Sequence, residues 1–99
     1  MEHKVRLGDK MYTLCYTVNS VCCLEELYGK ALHQMLQTDV VSVRALLWCG
    51  LLHAHESWTP EDAGNVLNEA LEKGQALHDI GAQCAKALQD AGFFRAAGR

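Results

Sequence analysis

The sequence predicts an α+β fold dominated by helices, an N-terminal β-hairpin followed by four or five packed helices. Three observations carry this. Residues 3–16 hold two β-rich runs on either side of Gly8-Asp9. From residue 19 onward apolar residues recur every three or four positions. Residues that start and stop helices punctuate the later part of the chain. At 99 residues the chain is one domain's worth. We expect a single domain over residues 1–92 and a loose tail over 93–99.

The hairpin strands are expected at residues 3–7 and 10–16. A glycine at the first central position of a two-residue loop suits a type II′ turn. An isolated hairpin is marginal in water, so one face must lie on the helices that follow. The first helix places Val21, Leu24, Leu27 and Tyr28 on one face, with Asn19 or Ser20 as cap and Gly29 as the residue after its end. A short second helix spans Ala31 to Leu36, and Thr38-Asp39 breaks the pattern. The third helix, Ser42 to about His55, is apolar nearly all round and therefore central. Ser57-Trp58-Thr59-Pro60-Glu61-Asp62 is the sharpest local signal. Thr59 caps, Pro60 occupies the first helical position, and two acids follow where the helix dipole favours them. That helix stops at Gly74, and the last runs from about Gln75 to Ala91. The expected core is Leu14, Val21, Leu24, Leu27, Leu46, Leu47, Leu51, Val66, Leu67, Leu71, Ile80 and Leu88.

Composition narrows function. Apolar residues make up 49% and charged residues 21%, ordinary globular usage, which argues against disorder. The formal charge of -3 leaves no basic excess for a phosphate backbone, so no nucleic-acid partner is expected. The longest apolar stretch, Val43 to Ala54, is interrupted by Arg44 and His53, so no membrane span is expected. No secretory signal is read at the start, so the five cysteines should stay reduced. No C-x-x-C pair occurs, and Cys22 and Cys49 match apolar positions, where a free cysteine acts as a small hydrophobe.

Other clusters point away from chemistry. His53 and His55 are spaced i, i+2 and diverge on a helix, unlike the i, i+4 pair of a zinc helix. They mark the polar end of the third helix. Glu25-Glu26 and Glu61-Asp62 are adjacent acids that diverge by about 100° on a helix, unsuited to an acid/base dyad. The eight glycines form no phosphate loop. Catalytic, cofactor and metal sites are therefore expected to be none. What remains is surface. Trp58, Phe93 and Phe94 are aromatic residues in a loop and a tail, and aromatics of this kind often anchor interfaces. Together with Leu77 on the last helix they are the expected partner-binding residues.

The order of segments resembles the phage tail assembly chaperones, in the branch related to gene-transfer-agent tail proteins. The resemblance rests on the run Tyr16-Thr17-Val18-Asn19-Ser20-Val21-Cys22-Cys23-Leu24-Glu25-Glu26-Leu27-Tyr28-Gly29-Lys30-Ala31-Leu32, then on Val43-Arg44-Ala45-Leu46-Leu47-Trp48-Cys49-Gly50-Leu51, then on Thr59-Pro60-Glu61-Asp62-Ala63-Gly64. It covers roughly residues 3–90. Cys22-Cys23 and His53-Ala54-His55 depart from it. The resemblance implies a non-enzymatic role in the host bacterial cytoplasm. Such a chaperone binds the tape measure protein and keeps its apolar helices soluble until tail tube protein polymerises around it. The alternative is a generic helical interaction or regulatory module, possibly a homo-oligomer or homodimer.

Overall fold

The computed structural model describes residues 2–94. Strands β1 (Glu2–Leu7) and β2 (Lys10–Cys15) form an antiparallel hairpin. Four helices follow: α1 (Val18–Tyr28), α2 (Val40–Leu51), α3 (Pro60–Glu72) and α4 (Leu77–Asp90). The α+β, mostly helical class is the one expected.

The hairpin register pairs Val5 with Tyr12 and Leu7 with Lys10 across Gly8-Asp9. Gly8 has φ 69°, and no residue other than glycine has a positive φ among the described residues. A positive φ at the first loop position alone matches the expected II′ geometry. Opposed residues share a face, so His3, Val5 and Leu7 point the same way as Tyr12 and Leu14. Val5, Leu7 and Leu14 are buried on that face, while Met11 on the other is exposed. The turn between α3 and α4 clamps the hairpin tip. Gln75 accepts from the Gly8 N–H at 2.6 Å and donates to the Arg6 carbonyl at 2.8 Å.

Helix α2 is central. It packs against β2, α1, α3 and α4, and from Ser42 to Leu51 every residue except Arg44 is buried. It begins at Val40, two residues before the expected Ser42. Asp39, read as a break, is its cap, its carboxylate accepting from the Ser42 N–H at 3.1 Å. These bonds from Ser42 hold the Asp39 carboxyl below the ordinary aspartate range. The helix also stops earlier than expected, at Leu51, and the chain turns through residues 52–58.

Two other boundaries shift for similar reasons. Helix α1 is capped by Thr17 and not by Asn19 or Ser20. Thr17 Oγ1 accepts from Ser20 N–H at 3.1 Å, and Ser20 Oγ accepts from Thr17 N–H at 3.0 Å, a reciprocal capping box. The segment expected as a second helix is a single 3₁₀ turn, Leu32–Met35, tied to α1 by Glu25, whose carboxylate accepts from the Leu32 N–H at 2.7 Å. Thr59-Pro60 opens α3 as expected, with Asp62 returning a bond to the Thr59 N–H at 2.8 Å. At the end of α4 the Phe93 N–H reaches Leu88 O at 3.1 Å and the Gly92 N–H reaches Gln89 O at 3.0 Å. This is the Schellman pattern, which folds the chain back on its own helix.

Nine of the twelve expected core residues are buried. Leu27 is 56% and Leu71 39% exposed, and Val66 is half-buried. On α1 the buried stripe runs through Val21, Leu24 and the half-buried Tyr28, and Leu27 lies off its edge. On α3 the stripe is Ala63, Leu67 and Ala70, with Val66 and Leu71 flanking it. Cys22, expected inside, is exposed because it lies about 100° round the helix from Val21. Cys49 and Cys84 are buried.

Replacing Thr17 by alanine removes the acceptor for Ser20 N–H while leaving the core intact. It should cost about 1 kcal/mol of unfolding free energy. Equilibrium urea denaturation measures this, and an unchanged midpoint would show that α1 does not depend on the box.

Candidate functional site

The end of β2 delivers the chain directly into the cap of α1, and α1 lies beside α2. The turn after α2 then brings Trp58 back toward the same place. The result is an open groove of about 390 Å³ between these segments. Cys15 and Thr17 form one end, Ser20 and Cys23 of α1 one wall, and Trp48, Leu52 and Trp58 the other. This is within the size range of ligand clefts, about 300–1,000 Å³.

The aromatic wall is held by specific contacts. Trp48 Nε1–H donates to the Trp58 carbonyl at 2.7 Å, so the buried indole of α2 fixes the backbone of the turn. The Trp58 ring stacks on His55, with centroids 4.0 Å apart and planes 15° from parallel. The Trp58 N–H donates to the His55 carbonyl at 3.0 Å. His53 Nδ1 lies 3.1 Å from the Gly50 carbonyl, a contact that requires the proton on Nδ1 and that covers an unpaired carbonyl at the end of α2. On the opposite wall the Cys49 thiol donates to Ser20 O at 3.3 Å, joining α2 to the first turn of α1. Trp58 also borders a second hollow of about 290 Å³ with Tyr12, Val66 and Glu69, so its half-buried ring separates two recesses.

Of the four expected partner-binding residues, Trp58 alone lines this groove. Leu77 is half-buried at the start of α4. Phe93 and Phe94 are half-buried against the core, folded back by the end of α4, and so belong to the packed domain and not to a loose tail. Residues 95–99 of the expected tail lie outside the described residues. The residues that sequence reasoning missed are Leu52, Cys23 and the cap residues of α1. Each reaches the groove through the crossing of α1 and α2, which no local pattern announces.

Cys15 of β2 and Cys23 of α1 line the groove together with His53 and Glu56. Among the described residues, no three His, Cys, Asp or Glu side chains gather as they would around a metal ion. Among these residues, too, no helix is long and apolar enough to cross a membrane. Burial pushes the Cys49 thiol up to about 12 and the Cys84 thiol up to about 11. Neither is a thiolate near neutral pH, so neither is a nucleophile. One of each adjacent pair of acids acts as a structural acceptor: Glu25 holds the 3₁₀ turn, and Asp62 accepts from the N–H of Thr59, the cap of α3.

No protein-family model, no curated protein and no solved structure matches the chain.

The five thiols should divide sharply in reactivity. With Ellman's reagent at pH 8, Cys22 and Cys23 should react rapidly in the native protein. Cys49 and Cys84 should react at least about a hundredfold more slowly, since burial suppresses the thiolate and blocks access. Equal rates for all five in the native state would contradict the burial described above.

Proposed function

We propose that this chain is a non-enzymatic phage tail assembly chaperone. It binds apolar helical segments of the tape measure protein in the host bacterial cytoplasm and releases them as tail tube protein polymerises. The observation that carries this reading is the groove with Trp48, Leu52 and Trp58 along one wall, an open recess and not an enclosed reaction chamber. An amphipathic client helix would insert side chains at i and i+3 or i+4 spacing into such a recess. Trp58 would serve as the anchor, a reading supported by the bond from Trp48 to its carbonyl and by the two hollows that it borders.

The resemblance in segment order supplies the choice of client. The run from Tyr16 to Leu32 contributes the cap of α1 and the Cys23 wall, and the Val43–Leu51 run contributes Trp48. Two of the three resembling runs therefore contribute to the groove. A long, helix-rich client exposes apolar stripes that aggregate unless covered, and many modules of modest affinity can cover them and still be displaced.

Co-expression with the tape measure protein encoded in the same genome tests the proposal. The client should become soluble and co-purify with this chain, and Trp58→Ala should weaken the association by about tenfold or more. An insoluble client with no co-purification would overturn it.

A further inference from the structure

A second face, away from the Trp58 groove, carries the features of a surface that pairs with itself. Helices α2 and α3 cross at Gly64, where a Cβ would lie 3.0 Å from Arg44 Cδ. Beside this crossing is a hollow of about 340 Å³. Its floor is Leu67, which is 3% exposed, while Val40 and Leu71 stand out on its rims at 60% and 39% exposed. Arg44 Nε is buried there with no hydrogen-bond partner. Glu61 lines the same hollow, yet among the described residues neither Arg44 nor Glu61 forms an ion pair.

We propose that this face is the interface of a two-fold homodimer. In it Arg44 of each copy pairs with Glu61 of the other, and Val40 and Leu71 of each copy enter the other's hollow. An isologous interface uses one patch twice, so the patch must contain its own complement. This one does. It holds a cation and an anion that do not satisfy each other within the chain, and apolar rims beside an apolar hollow. A surface built for an unrelated acidic partner would need the arginine but not the glutamate. A guanidinium that no carboxylate of its own chain pairs gains most from one supplied by the other copy, which accepts in a charge-assisted and often bidentate way. The dimer leaves the Trp58 groove free, since the two surfaces share no lining residue.

Sedimentation velocity of the full chain over about 5–500 µM, a range bracketing interfaces of modest affinity, tests this without any client. The wild type should show a concentration-dependent monomer–dimer equilibrium. Arg44→Glu and Glu61→Arg should each raise the dimer dissociation constant at least about tenfold, because each brings like charges together twice. An equimolar mixture of the two variants should recover dimer, as should the doubly reversed chain. Val40→Glu provides a check that spares folding, since it places a carboxylate on an exposed position in the first turn of α2, where the helix dipole favours it. It too should shift the equilibrium to monomer, with circular dichroism unchanged. A wild type that stays monomeric across the range, or a dimer indifferent to these charge reversals, would overturn the proposal.

Discussion

The fold depends on how closely the end of β2 can lie against α2. Tyr16 is buried, and its hydroxyl donates to the Leu46 carbonyl at 2.6 Å. Position 50 of α2 faces the same ring. A Cβ there would lie 2.8 Å from Tyr16 Cζ and 2.9 Å from Leu14 Cδ2, well inside contact distance. Glycine at 50 is therefore the condition for the approach. Without it the hairpin would sit farther out, and a two-stranded hairpin has little stability of its own. Burial raises the Tyr16 phenol well above its ordinary value, so it stays a donor throughout the physiological range, and Cys84 of α4 lies beside it. Three elements thus meet at one buried hydroxyl.

The groove is a consequence of the same contact. One residue after Tyr16 the chain is already in the α1 cap, so seating Tyr16 also seats α1 against α2. The Cys49 thiol to Ser20 carbonyl bond closes that seam. The recess then lies between the cap residues on one side and Trp48, Leu52 and Trp58 on the other. The proposed client anchor and the hairpin seat are coupled through α2, which offers one face to Tyr16 and another to the turn that carries Trp58. The α2–α3 face with Arg44 uses the remaining side of the same helix. A single central helix, apolar nearly all round, explains why so short a chain can present two separate recesses.

What was legible in the sequence was local chemistry. Gly8-Asp9, Gly29 and Thr59-Pro60 each announce a local backbone event, and each occurs where expected. Asp39 shows the limit of that reasoning. The same residue type that interrupts an apolar pattern also caps the helix that follows, and only the bond to Ser42 decides between them. Leu27, Leu71 and Cys22 were misplaced because apolar character says that a residue can be buried, while the angle of each helix against its neighbours says whether it is. Trp58 was legible as an aromatic residue in a turn. The other side of its groove was not, because Cys15, Thr17 and Cys23 arrive there by a crossing of α1 and α2. Gly50 was equally silent: within the sequence it is one more small residue on an apolar helix.

That silence makes position 50 the most direct test. Alanine has the better intrinsic helix propensity, by up to about 1 kcal/mol, and on that ground alone Gly50→Ala would stabilise α2. The close approach of Tyr16 and Leu14 opposes this, and overpacking a core typically costs about 1–3 kcal/mol. Equilibrium urea unfolding of Gly50→Ala should therefore show a net loss of stability, with a weakened near-ultraviolet signal from the displaced Tyr16. A variant as stable as the wild type, or more stable, would contradict the claim that the seat of β2 on α2 governs the fold.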